Sequence, residues 1–431
     1  MPTRPHVVII GGGFAGIECA KALRGSGAHI TLIDRQNHHL FQPLLYQVAT
    51  AALAAPSIAA PVREIFAKRD DVHVLMDEAC ALDPDSQTVT LRSGRRIEAD
   101  YIVVAAGLRA IYFGNDAWKE HAPPLKTVSD AIEIRKRFVS AFEAAELLDK
   151  DADRTRELTF VVIGAGPTGV EMAGAFAELS HKALRAEYRH FDTSSARVVL
   201  IEGQGRVLPT YHEQSSLRAK KDLEQLGVEV LLGTRVERID HEGVTLSDGQ
   251  QIASRTVVWA AGVAGERIGG SIGTERTRQD KVRVEPDLSV PGHPRIFVAG
   301  DLAHATQAGS DNPVPGVAPA AIQMGKHVGR TIRQELRTPG VQRQAFRYRD
   351  KGMLATIGRN RAVAELGGRR FGGFPAFVLW AVVHIYFLIG FRNRIMTMLQ
   401  WFWQYVLYDR SARIIPAPES GCADDSPATR P

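Results

Sequence analysis

A strand–glycine turn–helix pattern that occurs twice constrains this chain more than anything else in it. Val7-Val8-Ile9-Ile10 is a short β-branched run that breaks into Gly11-Gly12-Gly13-Phe14-Ala15-Gly16, and Glu18 to Leu23 then has helix-favouring composition. That order is the context in which G-x-G-x-x-G binds a dinucleotide. Gly11 permits the tight turn, Gly13 lets the backbone approach a pyrophosphate, and Gly16 lets the helix pack close to the strand. The helix N-terminus offers free N–H groups to phosphate. A second strand, Ala28 to Ile33, ends on Asp34, a carboxylate that can accept from a ribose. Leu158 to Ile163, Gly164-Ala165-Gly166-Pro167-Thr168-Gly169 and Val170 to Leu179 repeat strand, turn and helix, and Arg197 to Ile201 ends on Glu202. Two fingerprints, each with its acid in register, imply two dinucleotides.

The repeat extends to a whole supersecondary set. Val72–Met76 corresponds to Val228–Leu232, a hairpin over 88–99 to one over 244–252, and the strand from Tyr101 to Ala106-Gly107 to the one from Thr256 to Gly262. Arg295 to Val298 runs through Ala299 into Gly300-Asp301 and reads as the last strand of the first unit. Gly300 allows close approach of a ligand, and Asp301 can bind a ribityl or phosphate-side hydroxyl. The expected fold is therefore α/β, with two Rossmann-like domains, the second inserted in the first, plus a C-terminal membrane-associating helical segment. The expected boundaries are 1–115 and 275–345 for the first domain, 116–274 for the second, 346–415 for the anchor and 416–431 for a disordered Pro/Ser/Asp-rich tail. Pro123-Pro124 marks a crossing between lobes and Val128 to Leu148 an amphipathic helix. Residues 35–50 read as a packed loop, and Ile58 to Phe66 as a helix.

At 431 residues, 45% apolar and 23% charged, the chain suits two or three folded domains. Its net charge of +5 is scattered; it favours an anionic partner such as NADH or a lipid surface and is no nucleic-acid signature. Cys19, Cys80 and Cys422 form no C-x-x-C, so neither a disulfide framework nor a metal site is expected. The start enters a strand with no charged leader, and a cytoplasmic location is the expectation. Phe374 to Phe391 is apolar apart from His384, which reads as a tolerated polar residue, and is long enough to be a transmembrane candidate. Ile395, Met398, Leu399, Phe402 and Val406 share one helical face. Arg392, Arg394, Arg410 and Arg413 flank it, and Trp401, Trp403, Tyr405 and Tyr408 add interface-seeking rings. Monotopic attachment, spanning, and a dimer or core contact stay open as readings.

The runs GGGFAG, GAGPTG and IFVAGD resemble the two-dinucleotide-binding flavoproteins. His38 to Thr50, Gly164 to Glu171, Val314 to Ala318 and the apolar C-terminus resemble more narrowly the type II NADH:quinone oxidoreductases, over roughly residues 6 to 410. The resemblance implies FAD on Gly11, Gly13, Phe14, Ala15, Gly16, Asp34, Arg35, Ala106, Gly107, Gly300 and Asp301. It implies NADH on Gly164, Gly166, Thr168, Gly169, Glu202 and Gly262. Glu202 also accepts from both ribose hydroxyls and repels a 2′-phosphate, which favours NADH over NADPH, with Arg206 near enough in sequence to soften the preference. The family places a carboxylate near nicotinamide and flavin where Glu171 stands, and a lysine beside the flavin where Lys351 stands. A dipole-stabilised first-turn acid and a surface lysine are the alternatives. Of the family's Ala-Gln pair at a helix start, Ala318 is kept, Pro319 replaces the first Gln, and Gln323 keeps the second as a flavin or quinone contact.

The resemblance thus implies a membrane enzyme on the cytoplasmic face of the cell membrane, with catalytic Glu171, Gln323 and Lys351. NADH would pass a hydride to flavin N5 and a quinone would take the two electrons, with a homodimer as a further partner option. The alternatives are a soluble reductase of a ferredoxin-like protein and a slowly turning NADH sensor.

Overall fold

The computed structural model describes residues 4–149, 151–185, 187–307, 312–407 and 413–414. The expected tail, 416–431, and Tyr408 and Arg410 lie outside the described residues, as does the side chain of Val406.

The first unit is a six-stranded sheet in the order 289–290, 293–298, 101–104, 6–10, 29–34, 72–76. All its pairs are parallel except the 289–290 edge. The second unit repeats its centre as four parallel strands, in the order 228–232, 197–202, 159–163, 256–259. Strands covered on both faces need continuous apolar runs, and Val7 to Ile10 and Phe160 to Ile163 are buried throughout. The short strands Leu108–Ala110 and Val263–Gly265 pair antiparallel, so the chain leaves and re-enters the first unit side by side. The second unit is inserted in the first.

Eight helices carry the site. They are α1 (Phe14–Ala22), α2 (Leu45–Ala49), α3 (Val128–Leu147), α4 (Pro167–Glu178), α5 (Glu213–Glu224), α6 (Ala318–Arg337), α7 (Phe374–Phe387) and α8 (Phe391–Leu407). A capping box of Thr127 and Asp130 starts α3, which buries the expected Ile134, Phe138, Ala141, Phe142 and Ala145. Phe138 stacks on Phe176 of α4 at 4.4 Å between centroids. Helices α1 and α6 touch backbone to backbone: a Cβ on Gly325 would lie 2.1 Å from the Ala15 carbonyl oxygen, so only glycine fits there.

Three expectations are corrected. Residues 38–50 are a short strand at His38–Leu40, a 3-10 turn and α2, not a loop, because Leu45, Tyr46, Val48 and Ala49 are apolar all round and bury completely. The helix expected over 58–66 is split by a strand at Ala59–Pro61, since proline removes a donor and holds its predecessor extended. The transmembrane candidate is two helices. α7 stops at Phe387, and Gly390 turns the chain at φ +90° into α8. Fourteen residues reach about 21 Å, against the ~30 Å of a bilayer core. No described helix is long and apolar enough to cross a membrane.

A three-stranded antiparallel sheet, Met353–Gly358, Arg361–Leu366 and Arg369–Gly372, which was not expected, supports α7. One side of the C-terminal helices is core. Trp380 is buried and stacks on Trp401 at 5.3 Å, while the Trp401 Nε1–H donates to Gln47 at 2.7 Å. The other side is exposed: Val378, Val382, Tyr386, Met398, Leu399 and Phe402 face outward. The His384 ring lies tilted against Trp380 at 4.4 Å between centroids, and burial lowers its pKa to about 4, so it is neutral.

Candidate active site

Both glycine turns adopt one geometry. Gly11 has φ +108° and Gly164 φ +100°, a region other residues avoid, and their N–H groups donate to Ile33 and Ile201 at 2.8 and 2.7 Å. A Cβ on Gly16 or Gly169 would lie 1.8 Å from the carbonyl oxygen of Gly11 or Gly164. Above Gly13 and Gly166 there is no atom within 4 Å of where a Cβ would stand. These two glycines are the N-caps of α1 and α4, and neither helix start has a side-chain cap, so backbone N–H groups face open space.

The acids match too. Asp34 accepts from Gly12 and Gln36 at 2.6 and 2.7 Å, and Glu202 from Ala165 and Gln204 at 2.7 and 2.9 Å. Burial nevertheless raises the Asp34 pKa, with those two N–H groups opposing. Arg35 pairs with Glu266 at 2.8 Å. Arg206 turns to the Pro209 carbonyl at 2.7 Å, so its guanidinium is tied back to its own loop.

Gly300, just before Asp301, joins the first turn to α6. The Gly300 N–H reaches the Met324 sulfur at 3.3 Å, and a Cβ on Gly300 would lie 3.2 Å from that of Ala15. Burial raises the Asp301 pKa against the pull of Lys126 and Lys281. Neither lysine was singled out from sequence. A charged residue directly after the apolar crossing Pro123-Pro124-Leu125 was the signal for Lys126. His39 was missed as well. It is buried, its Nδ1 lies 3.0 Å from the Gly12 carbonyl, and burial lowers its pKa to about 4. A neutral ring must therefore donate from Nδ1, which leaves Nε2 a buried acceptor with no partner. An open cradle, uncapped helix ends and an unfilled acceptor fit a bound dinucleotide.

Two of the three catalytic candidates meet the same segment of chain: Gln323 is bonded at Arg349, just ahead of Lys351, and Glu171 at Thr356, just past it. The Gln323 amide is committed to backbone: Nε2 donates to the Arg349 carbonyl at 3.0 Å and Oε1 accepts from the Arg349 N–H at 2.9 Å. It thereby ties the chain ahead of Lys351 to α6, where a flavin or quinone contact was expected. Pro319 sits in the first turn of α6 without disturbing it. Lys351 is exposed.

Glu171 lies in the second turn of α4, not the first, because the helix begins at Pro167. Burial pushes its carboxyl well above the usual range, against a hydrogen bond from the Thr356 backbone. Glu171 lines an apolar cavity of about 310 Å³ with Gln47, Trp380, Trp401, Phe402 and Tyr405.

Comparison with known proteins places this geometry. The family model described as pyridine nucleotide-disulphide oxidoreductase matches residues 5–325, and the NDH2 C-terminal domain matches residues 351–410. A type II NADH:quinone oxidoreductase of Mycobacterium tuberculosis is 43% identical over 412 residues, covering 93% of this chain and 88% of that protein. The chain belongs to the type II NADH:quinone oxidoreductases. A Staphylococcus aureus member is 29% identical over 88% of this chain and 94% of its own length. NDH2 from Plasmodium falciparum in complex with NADH superposes with a TM-score of 0.87 at 20% identity, over 95% of this chain and all of that one, and shows the shared fold.

As a type II NADH:quinone oxidoreductase, the protein binds FAD and NADH, oxidises NADH and reduces a quinone. The ferredoxin-type and NADH-sensing alternatives lapse.

Proposed function

We propose that FAD lies over the Gly11–Gly16 turn, with Asp34 at its adenosine ribose and Asp301 at its ribityl chain, in a unit made of residues 1–115 and 275–345. NADH lies over Gly164–Gly169 in the inserted unit, residues 116–274, with Glu202 at the ribose. Bound FAD supplies the two-electron chemistry; the chain binds, orients and handles protons. The uncapped starts of α1 and α4 and the open space above Gly13 and Gly166 support both placements. Glu202→Gln should narrow the NADH/NADPH preference in kcat/KM severalfold, because a neutral amide no longer repels a 2′-phosphate. An unchanged ratio would remove Glu202 from this role.

The quinone enters the Glu171 cavity from a membrane on which the chain docks peripherally through the exposed side of α7 and α8, on the cytoplasmic side where NADH is available. One observation carries this. Phe402 and Tyr405 line the cavity and are also exposed on the apolar face, so the cavity reaches that face. Trp380 lines it too, and its buried Nε1–H has no hydrogen-bond partner, a donor for a quinone oxygen.

Truncation before Phe374 would strip Trp380 and Leu388 from the core, so point charges test docking more cleanly. Val378→Glu/Val382→Glu alters exposed positions only. Removing two valines from lipid contact should weaken vesicle partitioning by about 2 kcal/mol or more, some thirtyfold. Turnover with a long-chain quinone in vesicles should fall alongside, and turnover with a soluble short-chain quinone should persist. Undiminished partitioning would refute the docking face. A second copy of the chain on that face would instead appear as a dimer that the charges dissociate.

A further inference from the structure

Beside α7 and α8, and next to the Glu171 cavity with which it shares Arg359, lies a second cavity of about 400 Å³ lined by Lys182, Arg218, Arg359, Arg361 and Asp222, with Gly373 and Phe374 at its edge. Lys182, Arg218 and Arg361 meet one carboxylate, while the Arg359 guanidinium is turned to the carbonyl and ring of Tyr405. Asp222 is buried and accepts from Arg218 Nε at 2.9 Å, with Arg361 at 3.8 Å, so its charge is already matched. Arg361 is further tied to the Asp222 carbonyl at 3.1 Å and to Gln225 at 2.7 Å. Held guanidinium groups lose little freedom on binding, and their planar forks suit phosphate oxygens. The wall also contains the start of α7, where Gly373 is an N-cap at φ +78° with no side-chain cap. The helix therefore adds its own positive end.

The rim decides which phosphate compound fits. Phe374 borders the cavity and begins a stripe with Val378, Val382 and Tyr386, spaced by four along α7 and 55, 43, 61 and 69% exposed. A free phosphate has no use for such a stripe. A diacyl phosphate places two apolar chains within bond lengths of its anionic group.

We propose that this cavity binds the phosphodiester headgroup of an anionic phospholipid and sets the orientation in which α7 and α8 meet the bilayer. The proposal rests on the docking reading above.

The test uses the full, FAD-loaded chain with vesicles of phosphatidylcholine alone or mixed with phosphatidylglycerol. Lys182 is exposed and forms no part of the catalytic machinery. Each cation at a lipid surface contributes about fivefold to binding. Lys182→Gln should therefore cut the phosphatidylglycerol-dependent gain by about fivefold, and Lys182→Glu by more, with the melting temperature unchanged. Deacylated headgroup, glycerophosphoglycerol at constant ionic strength, should compete with vesicles for the wild type and much less for Lys182→Gln. Diffuse attraction predicts no such competition. An unaltered phosphatidylglycerol dependence in Lys182→Gln overturns the proposal and leaves docking intact. Inorganic phosphate binding that depends on Lys182, with vesicle binding that does not, overturns it in favour of a free anion. Failure of the wild type to bind either vesicle overturns docking itself and the headgroup site with it.

Discussion

Gly13→Ala yields a folded protein that does not hold FAD. At Gly13 the backbone has φ −75°, which any residue adopts, and a new Cβ meets nothing within 4 Å. The chain itself has no reason to object. The methyl group instead occupies the space through which the pyrophosphate must approach the start of α1. Two charge-assisted hydrogen bonds lost there, at about 1.5 kcal/mol each, weaken binding roughly a hundredfold. Gly16→Ala fails differently. Its Cβ would stand 1.8 Å from the Gly11 oxygen and 3.0 Å from the Gly11 carbonyl carbon, so α1 must lift off its strand. Overpacking of that kind costs about 1–3 kcal/mol and often more when backbone has to move. The flavin-to-protein absorbance ratio and the melting temperatures of the flavin-free proteins separate the two. A Gly13→Ala protein with full flavin content would show that the pyrophosphate lies elsewhere. The equivalent Gly166→Ala should keep its flavin and lose NADH.

The same two glycines explain why so much of the fold was legible. A turn that tolerates only glycine at Gly11 and Gly16, and needs open space at Gly13, writes itself into the sequence as a spacing. The acid that braces it, Asp34 or Glu202, must end the next strand because it accepts the N–H of Gly12 or Ala165. Local geometry of this sort has local signatures, and its repetition revealed the insertion. What was not legible depends on contacts between distant segments. Whether 38–50 was loop or helix turned on its burial against α3, and an all-round apolar run has no periodicity to read. Gln323 could be placed in a family motif but not assigned its partner, since Arg349 reaches it only through the fold. The C-terminal apolar stretch looked long enough to span because Gly390 was counted within its reach and not as a break. Burial lowers the pKa of Lys126 and of His39, with Asp301 and the Gly12 carbonyl opposing, and no short window of sequence contains either pair.

Glu171→Gln should remove a pH dependence of stability and most of the quinone turnover together. The Glu171 carboxyl is held protonated by burial above its ordinary value of 4.5. Below that value the folded and unfolded chains both carry the proton, and burial brings no penalty. As pH rises through 4.5 the unfolded chain ionises while the folded one does not, so stability falls by about 1.4 kcal/mol per pH unit until the folded pKa is reached. Gln fills the same volume and cannot ionise. The variant should therefore match the wild type near pH 4 and exceed it at neutral pH, in melts recorded across that range. Quinone reduction consumes two protons with its two electrons, and Glu171, whose carboxyl burial pushes well above the ordinary range, stands in the wall of a largely apolar cavity where it can supply one. General acids contribute about a hundredfold or more. The kcat with quinone should fall by that order in Glu171→Gln, while the first, NADH-driven bleaching of flavin absorbance in stopped flow stays as fast as in the wild type. If bleaching slows in proportion to turnover, Glu171 serves the NADH half of the reaction. If kcat and the stability profile both stay unchanged, the carboxyl is ionised in the folded protein and the proton has another source.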